Sequence, residues 1–186
     1  MTAQTAQIVR DRIGATVTHT DPAAMTFKME REFEAPRRRV FAAFASCDAI
    51  SKWWGPAGWT VPVCDMEFRP GGVWLYAMRA PAGVVGPKGE DPWDAWGKAT
   101  YRDIVVPERI VWLDEFAEPG GTVAADMPKM TAQLEFIDLG GDRTKLVDTT
   151  IYSSIKDLET TLGMGMAEGA AESFDKLERY LADASD

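Results

Sequence analysis

The clearest alternation of apolar and polar positions begins at Ala24. Met25, Phe27, Met29, Arg31 and Phe33 share one face, with Thr26, Lys28, Glu30, Glu32 and Glu34 on the other. A period of two describes a half-buried strand. Arg31 interrupts the apolar face; it is expected at the solvated rim, the alternative being a buried cation that needs a carboxylate partner. Pro36 suits the first turn of a helix, and Val40, Phe41 and Phe44 follow at helical spacing. Asp48 is placed to cap a second short helix through Ile50, Trp53 and Trp54, which Gly55-Pro56 ends. Strand-like patterning then returns over residues 59–68, 73–80, 93–105, 109–116, 130–138 and 144–153. Arg69-Pro70-Gly71-Gly72 and Gly140-Gly141 supply turns between them.

From Asp157 to Asp183 the period changes to 3.6, and Leu158, Leu162, Met166, Ala170, Ser173, Leu177 and Leu181 form one stripe. The stripe is large at its ends and small in its centre, around Gly163, Gly169, Ala170 and Ser173. Glycine inside a helix costs about 1 kcal/mol relative to alanine, so Gly163, Gly165 and Gly169 weaken the helix that the pattern demands. The strand at 93–105 repeats this thinness through Ala95, Gly97 and Ala99. On the helix's outward face, Glu172 with Lys176 and Asp175 with Arg179 are spaced for i,i+4 pairing.

These elements predict an α+β domain of about seven strands, in which a curved antiparallel sheet wraps a long C-terminal helix, with two short helices after the first strand. At about 1.5 Å per residue the helix reaches roughly 40 Å, enough to cross the sheet. Residues 1–23 are polar and weakly patterned and read as an N-terminal extension, with Ile8, Val9 and Ile13 spaced for a short helix that Asp21-Pro22 would end; residues 24–186 form one domain.

Composition narrows the function classes. The chain has 186 residues, 46% of them hydrophobic and 26% charged, as in an ordinary globular protein. A net charge of −9 repels phosphate backbones and anionic membrane surfaces, which argues against a nucleic-acid partner. Arg37, Arg38 and Arg39 form the one basic cluster and read as a solvated helix face. No stretch approaches 18 apolar residues, so membrane insertion is not expected. Residues 1–14 lack the apolar core of a signal peptide, and Cys47 and Cys64 are too few for a disulfide framework; a reduced, cytoplasmic chain is expected.

Catalytic signatures are sparse. His19 is the single histidine, so no Ser-His-Asp or Cys-His pair can be built without it, and no metal site or cofactor is expected. Asp65 and Glu67 share a strand face but fit an outward, solvated position. Asp114 and Asp148 share strand phase with apolar or aromatic neighbours. Each is expected near a strand end facing solvent; otherwise either is placed to pair with Arg31 or to orient a ligand in an apolar pocket.

Several strings occur in a telling order. They are Arg31-Glu32-Phe33-Glu34-Ala35-Pro36 before Val40-Phe41-Ala42-Ala43-Phe44, Trp53-Trp54-Gly55-Pro56, and Arg69-Pro70-Gly71-Gly72-Val73-Trp74. Gly97-Lys98-Ala99-Thr100-Tyr101, Pro107-Glu108-Arg109-Ile110 and Gly165-Met166-Ala167-Glu168-Gly169 complete the set. Together they resemble the START-like (SRPBCC, Bet v I-like) superfamily, in the branch named after the activator of the 90-kDa heat-shock-protein ATPase. The resemblance implies a helix-grip fold with an apolar cavity between sheet and helix; no matched motif supplies a catalytic residue. Family members often carry an aromatic where this chain has Ala170, a difference that should enlarge the hollow beside Met166.

The pattern and the resemblance converge on a module that encloses a small apolar or amphipathic molecule. Its expected lining is Phe41, Phe44, Trp54, Trp74, Tyr76, Met78, Gly97, Tyr101, Trp112, Met166 and Ala170, with Arg31, Asp114 and Asp148 as polar candidates. A polyketide cyclase or dehydratase-like enzyme is the first alternative, and a regulator of a chaperone partner, suggested by the branch name alone, the second. A homodimer stays open because Met164 points away from the helix's buried stripe.

Overall fold

In a computed structural model, which describes residues 9–183, the chain forms one nine-stranded antiparallel sheet and four helices among those residues. The strands are β1 (Val9–Ile13), β2 (Thr16–Asp21), β3 (Thr26–Phe33), β4 (Thr60–Met66), β5 (Val73–Arg79), β6 (Asp94–Val105), β7 (Arg109–Ala117), β8 (Lys129–Gly140) and β9 (Arg143–Tyr152). The helices are α1 (Arg37–Ala42), α2 (Cys47–Ile50), α3 (Ile155–Gly163) and α4 (Met166–Asp183). Strand order is β1-β2-β3-β9-β8-β7-β6-β5-β4, so the last strand pairs with β3 and closes the sheet's middle. The α+β architecture agrees with a helix-grip plan, but with nine strands rather than seven.

The two additional strands lie in the stretch read as weakly patterned. β1 and β2 form a hairpin on β3, with Val17 opposite Glu30 and Thr20 opposite Phe27. Val9 and Ile13 therefore stand in a strand and not in a helix, while Ile8 lies outside the described residues. Threonines drive the difference: Thr16, Thr18 and Thr20 alternate with Val17 and His19, a β-branched pattern that suits a pleated edge.

The expected single helix is two. α3 ends at Gly163, and Gly165 takes φ = +79°, a left-handed value that stops an α-helix at little cost only for glycine. The break also changes the buried phase. Leu158 and Thr161 are buried on α3, and Ala171, Ser173, Phe174, Leu177 and Leu181 on α4, while Leu162, Met166 and Ala170 are half-buried. Phe174 is the large inward residue that a continuous stripe did not anticipate, and it packs edge-on against Phe33 at 6.2 Å. Ser46, not Asp48, caps α2, its hydroxyl accepting from the Ala49 amide. Cys47 and Cys64 are joined in a disulfide that ties α2 to the edge strand β4, correcting the expectation of a reduced pair.

Arg31 corrects a second expectation. Its side chain is 2% exposed, and its guanidinium donates to Asp175 and Glu178 of α4 and lies 3.4 Å from the Thr16 hydroxyl. The two carboxylates sit three residues apart on one helix face and remain half-exposed. The partners are thus neither Asp114 nor Asp148, and Asp175 is not spent on Arg179. Lys176 likewise turns from Glu172 to the carbonyls of Trp54, Gly55, Pro56 and Trp59, at 3.0–3.4 Å. Glu172 instead accepts from the Ala57 amide. These contacts fasten α4 to β3 on one side and to the loop after α2 on the other. No helix among the described residues is long and apolar enough to cross a membrane.

Candidate functional site

Register places the inner face of the sheet residue by residue. One row runs Trp74, Ala99, Asp114, Met130 and Tyr152 across β5, β6, β7, β8 and β9. The next holds Tyr101, Trp112, Ala132, Thr150 and Phe27, and the next Ile110, Leu134, Asp148 and Met29. Two acidic side chains and a tyrosine thus surround Ala132 in the middle of an apolar face. Asp114 and Asp148 do not lie at solvated strand ends, correcting that expectation.

Their surroundings are unusual for carboxyls. Asp148 sits among Met29 (2% exposed), Leu134 (1%) and Leu146 (0%), yet the residue itself is only half-buried, as is Asp114. Burial pushes the Asp148 carboxyl up to about 7, the charge of Asp114 adding to the effect. Burial likewise pushes Asp114 up to about 7, against opposing hydrogen bonds from Trp112 and the Glu115 backbone. Burial also raises the hydroxyls of Tyr76, Tyr101 and Tyr152, with Asp114 acting on Tyr76 and both carboxyls on Tyr152. The mutual influence of Asp114, Asp148, Tyr76 and Tyr152 marks them as one electrostatic cluster.

Two unmet hydrogen-bonding groups lie in this cluster and two in the aromatic wall beside it. Asp148 Oδ1, Tyr152 Oη, Trp54 Nε1 and Trp74 Nε1 are covered and without a partner. The Trp54 indole lies near the Tyr76 hydroxyl, and the Tyr152 hydroxyl near Thr161, but neither pair reaches hydrogen-bond geometry. Trp53 shows the usual outcome, its Nε1 donating to the Ala43 carbonyl at 3.0 Å. A covered polar group left unpaired costs about 1–3 kcal/mol, so four such groups on one side of a core require a reason.

The aromatic wall beside the cluster is ordered. Trp74 and Tyr76 stack at 4.3 Å, and Trp54 meets them edge-on at 5.0 and 5.8 Å. Gly97 permits this arrangement: a Cβ there would fall 2.3 Å from Tyr76 Cζ. The thin centre of β6 is therefore filled at Gly97 by the Tyr76 ring, while Ala99 adjoins Asp114. Tyr101 lies 6.5 Å from Trp112 and 5.2 Å from Phe68. Met78 abuts Gly55, and Met166 and Ala170 stand half-buried near the start of α4.

Other expected lining residues lie elsewhere. Phe41 and Phe44 pack on Phe136, at 5.1 and 5.4 Å, in an aromatic cluster beneath α1. Arg31 faces α4 rather than the carboxyl pair. Asp65 and Glu67 are exposed on the outer face. Two open surface depressions, of about 630 Å³ by Lys52, Lys176, Arg179 and Tyr180 and about 240 Å³ by Asp65, Leu75 and Lys98, include none of the expected lining residues. Tyr152 was not anticipated, although the inward phase through Leu146, Asp148 and Thr150 extends to it directly.

Comparison with known proteins now decides the family. The profile described as "Activator of Hsp90 ATPase homolog 1-like protein" matches residues 34–182. The chain belongs to this family. Protein Ms6760 from Mycobacterium smegmatis has a similar structure, with a TM-score of 0.77 at 28% identity over 88% of this chain and 94% of that one. A protein from Arthrobacter aurescens gives a TM-score of 0.77 at 25% identity, over 91% and 92% of the two chains. One from Staphylococcus epidermidis shares the fold, with a TM-score of 0.70 at 24% identity over 87% and 92%. No match is found among the curated proteins. Membership in the Hsp90-activator-like family and the shared fold account for the helix-on-sheet plan.

Proposed function

We propose that this protein binds a small apolar or amphipathic molecule between the inner face of its sheet and helices α3 and α4. The observation that carries the reading is Asp148. It keeps accessible surface although Met29, Leu134 and Leu146 around it are covered, and its Oδ1 lacks a partner. Surface on Asp148 amid covered neighbours on an inner sheet face supports an interior space there. Aromatic rings and Met130 offer that space apolar contact, and Asp148, Tyr152, Trp54 and Trp74 offer it polar groups. A few convergent polar atoms in an apolar enclosure are the usual composition of a ligand site.

Titration with 2-naphthylmethanol, followed by tryptophan fluorescence, tests the reading. Saturable one-to-one binding is expected, weakened at least tenfold in Ala132→Phe, whose ring occupies the space between the carboxyls. Absence of saturation in the wild type, or equal affinity in a folded Ala132→Phe protein, contradicts it.

A second reading has its own support. A carboxyl near 7 is suited to proton transfer at neutral pH, and Asp114 and Asp148 both reach that range beside Tyr152. An acid–base enzyme of the cyclase or dehydratase kind would use the same enclosure. Regulation of a chaperone rests on the family description alone, so the binding reading is the one advanced.

A further inference from the structure

Among the described residues, the inner sheet face around Ala132 carries two acids and no base. We infer that the molecule taken up has an apolar body and a protonated amine, which supplies the counter-charge that Asp114 and Asp148 lack within the fold. This rests on the interior site proposed above.

Elsewhere the chain pairs its covered charges. Glu30 receives Lys28 at 2.8 Å and Lys145 at 2.6 Å, and these hydrogen bonds hold its carboxyl down to about 2. Buried Arg31 has two carboxylates, and buried Glu115 has Lys129 at 2.9 Å. The interior pair departs from this habit. Around it stand Tyr76 on β5, Tyr101 on β6, Tyr152 on β9 and Thr161 on α3, all neutral, and Glu115 acts on Asp114 from the opposite face of β7. On the inner face the nearest cation by register is Arg31, opposite Leu146 and committed to α4, while Lys28 and Lys129 lie on the outer face with Glu30 and Glu115. No Lys or Arg among the described residues is found to act on either carboxyl.

An enclosed carboxyl without a cation keeps its proton. A ligand ammonium entering the site makes ionisation favourable, and Asp148 Oδ1 and Tyr152 Oη are free to accept its N–H groups. The indole N–H groups of Trp54 and Trp74 remain for an oxygen on the same molecule. A ligand carboxylate would meet two acids instead, and a neutral alcohol would gain hydrogen bonds without relieving the charge.

Three probes of one shape separate these cases: 2-naphthylmethylamine, 2-naphthylmethanol and 2-naphthoate. They are titrated in about 0.5 M salt, which screens attraction to the acidic surface. At pH 8 the amine is expected to bind at least tenfold tighter than the alcohol, with naphthoate weakest. At pH 5, where both carboxyls are protonated, the amine's advantage should shrink to less than threefold. In Asp114→Asn/Asp148→Asn the amine-to-alcohol ratio at pH 8 should fall to about one. An amine that binds no tighter than the alcohol at pH 8, or an advantage unchanged at pH 5, overturns the inference while leaving the interior site standing. Failure of all three probes to bind overturns both. The wild-type pH series decides the matter even if the double variant does not fold.

Discussion

Asp148 bears the strongest consequence for stability. An unfolded aspartate ionises near 3.8, whereas the folded carboxyl holds its proton to about 7. Between those values the native state binds more protons than the unfolded chain, so this group makes stability fall as pH rises, with the full penalty reached above 7. Asp148→Asn removes the penalty. The variant is expected to be more stable than the wild type by about 4 kcal/mol at pH 8 and to lose most of that advantage at pH 4. Paired urea titrations at the two pH values check this; a difference independent of pH would contradict it. The residue's identity as a polar candidate was legible from its strand phase between Leu146 and Thr150. Its enclosure was not, because period-two alternation says which face a residue takes and nothing about what covers that face. Arg31 shows the same limit. Its position on the inner face was plain, but Asp175 and Glu178 lie far along the chain, and their spacing there also fits ordinary helical surface pairing.

Among the elements, α4 is fastened from several sides. Arg31 reaches it from β3, and the Arg39 guanidinium donates to its Leu181 carbonyl. Lys176 on α4 gathers four carbonyls of the loop that carries Trp54, and burial lowers its affinity for a proton. Removing both partners of Arg31, in Asp175→Ala/Glu178→Ala, leaves a buried guanidinium uncompensated. Because water still reaches the helix side of this contact, the expected cost is about 2 kcal/mol, below the usual range for a fully buried pair. Chemical denaturation measures it, and a loss under about 0.5 kcal/mol would show that the contact is not structural. The paired strands from β3 onward were readable because their alternation is long and consistent. The division of the helix was not, since three glycines lie close together and only Gly165 adopts the left-handed geometry that ends α3. The β1–β2 hairpin was missed for another reason: a polar edge strand has little hydrophobic alternation to display.

Across the whole molecule, a family fold surrounds an interior that does not follow the usual rule for buried polar groups. The opposing thin centres of helix and β6 suggested a hollow between them, but at β6 that space is taken. Tyr76 occupies the space at Gly97, and the unpartnered Asp148 Oδ1 and Tyr152 Oη belong to residues that flank Thr150, the register partner of Ala132. Small residues in a sequence thus do not by themselves locate open space, because a neighbouring strand's ring can fill what a glycine leaves. Where a ligand goes is therefore decisive. Nuclear Overhauser contacts between 2-naphthylmethanol and methyl-labelled protein measure that directly. The predicted contacts are from the naphthyl ring to the methyl groups of Met130, Ala132 and Met166; contacts confined to exposed methyls such as those of Val85, Val106 and Met164 would contradict the interior site.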